Sequence, residues 1–130
     1  MKNIFIIADD STNNYLCELI IKSISPKATI TSYTCPVHAL ENITASSIET
    51  HTTILLDLNM PEMSGWQFME QFEMKQKKCS IYILTASVNP MGKENTFKYP
   101  MFKGFLTKPL SIENMKYIFE LKNKQELLCE

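Results

Sequence analysis

The stretch Thr53-Ile54-Leu55-Leu56-Asp57-Leu58-Asn59-Met60-Pro61-Glu62-Met63-Ser64-Gly65 runs from an unbroken apolar segment into a carboxylate, with Pro and Gly close behind. A short apolar run bounded by turn residues is the pattern of a strand buried on both faces, as in a parallel sheet. Asp57 then stands where the strand leaves the core. It either holds the turn and caps the next helix or does chemistry, and the partners that the rest of the chain brings there decide which.

Outward from this strand, apolar strands and amphipathic helices alternate. Upstream, Asn3–Ala8 is a second Ile-rich apolar run. Ser11 and Thr12 are N-cap candidates for a helix carrying Leu16, Leu19, Ile20 and Ile24 as its buried stripe, and Pro26 ends it. Ala28–Tyr33 alternates small or polar with apolar residues, which suits an edge strand. A short helix over Val37–Ile43 and a polar return over Thr44–Thr50 lead to the buried strand Thr52–Leu56. Downstream, Trp66, Phe68, Met69 and Phe72 mark a helix beginning near Ser64, and Lys75–Lys78 complements the dipole at its end. Ser80–Thr85 is a third buried strand. Asn89-Pro90 opens a short helix interrupted at Tyr99-Pro100, where Gly92 costs about 1 kcal/mol relative to Ala. Lys103–Thr107 is the last strand, and Ser111 opens a helix with Met115, Ile118 and Phe119 inward. Five strands alternating with five helices imply an α/β fold, a parallel sheet wound on both faces. Such sheets carry their sites just beyond the carboxyl ends of the strands.

Bulk properties narrow the function. With 130 residues and 45% hydrophobic content, residues 1–130 are expected to form a single domain with its own core and no output domain. The net charge is −1 and every basic residue is Lys, so a nucleic-acid surface is not expected. The apolar run at the N-terminus is too short for a signal peptide, and nothing approaches the roughly 20 apolar residues that span a bilayer. A cytoplasmic protein without membrane insertion is expected. Cys17, Cys35, Cys79 and Cys129 are scattered without metal-ligand spacing and read as reduced structural thiols. His38 and His51 fall outside the strand ends.

At those ends stand Asp9-Asp10, Asp57, Thr85-Ala86-Ser87 and Thr107-Lys108-Pro109. Each has a structural explanation alone: caps, a turn, β-branched filler, an exposed Lys. Together they put three carboxylates and one ammonium on one edge, a charge that a divalent cation would neutralise. Hard oxygen donors without clustered His or Cys point to Mg²⁺, and Mg²⁺ with open positions serves phosphoryl chemistry. In that frame Asp57 is the nucleophile that forms an acyl phosphate, and Asp10 is the main carboxylate for the metal. Lys108 and Thr85 offer donors to phosphoryl oxygens.

The fragments Ile6-Ile7-Ala8-Asp9-Asp10, Leu55–Gly65, Leu84-Thr85-Ala86 and Gly104-Phe105-Leu106-Thr107-Lys108-Pro109 stand in family-like order and spacing. Over Asn3 to about Lys122 the chain resembles a stand-alone response-regulator receiver domain of two-component signalling. The resemblance implies a flavodoxin-like (βα)5 fold with strand order 2-1-3-4-5. It implies that Asp57 is phosphorylated by a histidine kinase or phosphotransfer protein. Mg²⁺ would be held by Asp10, Asp57 and the backbone carbonyl of Asn59, with Asp9 acting through water. Thr85 and Lys108 would grip the phosphoryl group, and the Lys108-Pro109 peptide would be cis. Phe105 matches an aromatic position that switches with Thr85, although core filler explains it equally well. Asn59 and Ser87 flank the attack path and are expected to tune the lifetime of the acyl phosphate. The signal would leave through the face formed by the fourth helix, fifth strand and fifth helix, toward a protein target that the sequence does not name.

Three rivals come from other classes. A haloacid-dehalogenase-like phosphatase needs an Asp two residues after the nucleophile, and Asn59 there cannot shuttle a proton. A receiver-shaped interaction module that ignores phosphate would not need Asp9, Asp10, Asp57, Thr85 and Lys108 intact. A flavodoxin-like cofactor binder lacks its Gly-rich phosphate loop.

Overall fold

In the computed structural model, which describes residues 3–45, 52–74, 79–86, 99–108, 111–113 and 115–116, apolar runs and amphipathic segments become strands and helices in alternation. They are β1 (Asn3–Ile7), α1 (Ser11–Ile24), β2 (Thr29–Tyr33), α2 (Pro36–Ala45), β3 (Thr52–Asp57), α3 (Gly65–Met74), β4 (Ser80–Thr85) and β5 (Phe102–Thr107). Residues 112, 113, 115 and 116 are helical, as expected after Ser111. The strands form one sheet in the order β2-β1-β3-β4-β5, and every neighbouring pair is parallel. The helix expected from Asn89 up to the break at Tyr99-Pro100, the Lys run 75–78, and Ile118 and Phe119 lie outside the described residues.

The pleat divides the core into two layers. Ile7, Ile54, Leu56, Ile81 and Ile83 pack toward α2 and α3 with Phe68, Met69 and Phe72. Ile4, Ile6, Leu55, Tyr82, Leu84 and Leu106 face the other way, toward Cys17 and Ile21 of α1 and Met115. All six residues of β3 are buried, so this strand has no solvent-facing side, as its unbroken apolar composition requires. The alternating β2 lies at the sheet edge.

Helix α1 departs from the sequence expectation in two ways. Its N-cap is Asp10 rather than Ser11 or Thr12: Asp10 Oδ1 accepts from the amides of Thr12 at 3.0 Å and Asn13 at 3.3 Å. Its buried residues are Asn14, Cys17 and Ile21, with Ile20 and Ile24 half-buried beside them. Leu16 and Leu19 are 52% and 50% exposed. At about 100° per residue, a helix phased on Cys17 carries Leu16 a quarter-turn or more off the core and Leu19 still farther. Two adjacent sectors of this helix are apolar, and the cap and Asn14 select between them.

Helix α3 begins with a reciprocal cap. The Ser64 amide donates to Gln67 Oε1 at 2.9 Å, and the Gln67 amide donates to Ser64 Oγ at 3.2 Å. This closes the loop that leaves Asp57.

Candidate functional site

Asp57 is the last residue of β3 and is buried, 4% exposed. Its strand exit is held from two sides. The Leu58 amide donates to the Leu84 carbonyl at 3.1 Å, and the Gly65 amide donates to the Leu58 carbonyl at 2.8 Å. A Cβ at Gly65 would stand 3.1 Å from the Asp57 carbonyl oxygen and 3.2 Å from Leu58 Cα. Only glycine lets the start of α3 approach this closely.

Lys108 reaches the same point from the end of β5. Its Nζ lies 2.8 Å from Asp57 Oδ2, with the side chains 29% and 6% exposed respectively. A carboxylate buried to this degree needs such a counter-charge, because desolvation penalises an unpaired charge by several kcal/mol. The Lys108 amide donates to the Thr85 carbonyl at 2.9 Å, so the main chains of the two expected phosphoryl-gripping residues are joined. Thr85 is 4% exposed at the end of β4. Phe105 pairs with Ile83 across the β4–β5 register, two residues before Thr85, and belongs to the α2–α3 layer. Its ring meets Phe102 edge-on at 5.0 Å and Trp66 at 6.0 Å, and Trp66 lies 6.3 Å from Phe102. The sequence singled out Phe105 but not this aromatic enclosure.

Asp9 and Asp10 leave β1 exposed at the same edge of the sheet. The register ends with Ile7 beside Leu56, one residue short of Asp57, which sets the β1 and β3 exits side by side. Among the described residues no group of three or more His, Cys, Asp or Glu side chains is arranged to hold a metal ion. The expected set differs from such a group, with two carboxylates and a main-chain carbonyl as direct ligands. Asn59 is exposed in the loop after Asp57. Ser87 and the Lys108-Pro109 peptide reach beyond the described residues.

One buried residue escaped sequence reasoning. Asn14, 3% exposed, donates from Nδ2 to the Ala8 carbonyl at 3.0 Å and the Tyr33 carbonyl at 3.4 Å. Its signal was an amide four residues after Asp10, on the face that a helix normally fills with apolar groups. Cys17 packs in the α1 layer of the core; burial pushes its thiol above the ordinary 9.0, while the Lys108 ammonium pulls it down and the Glu18 carboxylate adds to the rise.

The sequence pattern of the response regulator receiver domain matches residues 4–120. The chain belongs to that family. Receiver domains are signalling modules that meet histidine kinases and downstream targets. This receiver domain also shares its fold with solved structures. The N-terminal domain of a response regulator/sensory box/GGDEF 3-domain protein from Carboxydothermus hydrogenoformans is 19% identical, with a TM-score of 0.81 over 99% of this chain and 100% of that one. A two-component response regulator from Clostridium difficile is 17% identical, with a TM-score of 0.80 over 97% and 98%. The chemotaxis protein CheY4 of Vibrio cholerae is 19% identical, with a TM-score of 0.75 over 92% and 97%. At these identities the likeness speaks for the fold alone. No curated protein sequence matches the chain. No helix among the described residues of the receiver domain is long and apolar enough to cross a membrane.

Proposed function

We propose that this receiver domain is a phosphorylation-dependent switch that accepts a phosphoryl group on Asp57 from a histidine kinase or phosphotransfer protein. The 2.8 Å ion pair between Lys108 and Asp57 at a buried strand end carries the proposal. A carboxylate oxygen of Asp57 attacks phosphorus while the bond from phosphorus to the donor's histidine nitrogen breaks, and the electron pair stays on that nitrogen. The product is an acyl phosphate. Lys108 then transfers its ammonium contact from the carboxylate to a phosphoryl oxygen, and the Thr85 hydroxyl donates to another.

The donors fit Mg²⁺. Asp10 has Oδ2 left over from its cap and Asp57 has the oxygen not paired with Lys108; these and the Asn59 carbonyl would hold the ion, with Asp9 acting through water. Bound there, Mg²⁺ supplies the positive charge that offsets crowding of carboxylate and phosphoryl oxygens. Asn59, exposed in the loop after Asp57, sets how long the acyl phosphate survives, and the sequence position of Ser87, two residues after Thr85, assigns it the same role. The domain phosphorylates and slowly dephosphorylates itself but turns over no other substrate.

The phosphoryl group replaces a charge of −1 with one near −2 and draws Thr85 and Lys108 toward it. Phe105, the diagonal neighbour of Thr85 across the β4–β5 register, belongs to the α2–α3 layer and follows into the space vacated. The face that carries β5 and the helix opening at Ser111, to which the sequence adds the segment before Tyr99, changes shape and meets a protein target in the cytoplasm.

Intact-protein mass spectrometry after incubation with acetyl phosphate tests this, with and without Mg²⁺, on wild type and Asp57→Asn. One phosphoryl group gained by wild type alone, and only with Mg²⁺, is the expected result. An adduct untouched by Asp57→Asn overturns the assignment. Failure of both acetyl phosphate and the stable mimic beryllofluoride leaves an interaction module that works without phosphorylation.

A further inference from the structure

Asn14 grips the acidic pair from both sides. Its main-chain amide donates to the Asp10 carbonyl at 3.0 Å, and its side-chain amide donates to the Ala8 carbonyl at 3.0 Å, so Asp9 lies between the two grips. The same Nδ2 reaches the Tyr33 carbonyl at 3.4 Å, which also accepts from the Ala8 amide at 3.1 Å. One buried side chain thus ties together the ends of β1 and β2 and the first turn of α1. Two carbonyls converge on Nδ2, which fixes the orientation of the amide, because a flipped Oδ1 would face acceptors.

The arrangement leaves Oδ1 buried and, among the described residues, without a hydrogen-bond partner. A side chain chosen only to fill the core would carry no such acceptor; Leu has the same branching and nothing to satisfy. The amide is useful for what Nδ2 holds. We infer that Asn14 is a positioning residue for the metal-binding carboxylates: it fixes the path of the chain through Asp9-Asp10, so that the Asp10 oxygen left free by the cap stands toward Asp57. This rests on the Mg²⁺ site proposed above. Groups that orient ligands without touching the metal commonly govern affinity, so loss of the amide weakens Mg²⁺ binding by about tenfold.

The test measures Mg²⁺ binding calorimetrically on wild type, Asp10→Asn, Asn14→Leu and Asn14→Ala, with thermal unfolding of each. Asn14→Leu keeps the branching, adds volume and removes the amide, whereas Asn14→Ala removes the amide and leaves space. A positioning role weakens Mg²⁺ binding alike in the two Asn14 variants, although their unfolding temperatures differ. Unchanged Mg²⁺ affinity in both overturns the inference. So does a loss confined to Asn14→Ala and tracking its unfolding temperature, which assigns Asn14 to packing. Wild type that binds no Mg²⁺ overturns the site and the inference together, whereas wild type that binds and Asp10→Asn that does not leaves the site standing whatever Asn14 does.

Discussion

Lys108 and Asp57 depend on each other unequally: the Lys end reaches partly into solvent, whereas the Asp end does not. Lys108→Met should therefore cost about 1–3 kcal/mol at neutral pH by stranding a buried carboxylate. Asp57→Asn in the same chain should restore most of that loss, and a double-mutant cycle in urea reads the coupling; additive single effects would show that the pair contributes nothing. Gly65 sets a second constraint. Gly65→Ala places a methyl 3.1 Å from the Asp57 carbonyl and should destabilise by about 1–3 kcal/mol through backbone displacement. Phosphorylation by acetyl phosphate should slow with it, and an unchanged rate would mean that α3 shifts without disturbing Asp57. Cys17 gives a pH signature. With its folded value raised by burial, the unfolded thiol ionises first, near 9.0, so this contribution to stability holds below that pH and is lost above it. Urea midpoints from pH 8 to pH 10 (about one unit either side of the thiol's ordinary range) should fall more steeply in wild type than in Cys17→Ala.

Between elements, the sequence was clear where one physical requirement acted and ambiguous where two competed. The unbroken run of β3 admits only a doubly covered strand, and the structure buries every residue in it. Its terminal carboxylate and Lys108 were legible as partners because the topology leaves them one edge to share. In α1 two apolar sectors adjoin, and composition could not choose between them. The choice depends on a cap that recruits Asp10 and on Asn14, whose bonds to Ala8 and Tyr33 exist only once β1 and β2 are paired. The enclosure of Phe105 by Trp66 and Phe102 was hidden for the same reason, since it joins two elements with β4 between them in sequence. The α1 correction has a measurable side. Leu16→Gln and Leu19→Lys should each change stability by no more than about 0.5 kcal/mol, as exposed positions do. A loss near 2–3 kcal/mol in thermal unfolding would restore the stripe expected from the sequence.

Across the molecule, the single tryptophan lies on the aromatic contact that adjoins the proposed switch. Beryllofluoride with Mg²⁺ should change Trp66 emission in wild type and leave it unchanged in Asp57→Asn; a silent wild type that still binds the mimic would mean that Phe105 stays where it is. The order of the strands has a different consequence, for assembly. Starting from β1, each later strand joins an open edge: β2 on one side, then β3, β4 and β5 in turn on the other. No strand must wedge between two already paired, although every parallel pairing has to close a long crossover first. A chain emerging N-terminus first can add its strands in that order. Asp57 arrives with β3, and Lys108 follows only after β5, so the nucleophile waits for its counter-charge until the last strand docks. Charge compensation at the phosphoacceptor thus waits for the last strand, and a chain truncated before β5 would hold its reactive carboxylate without the ammonium that makes burying it tolerable.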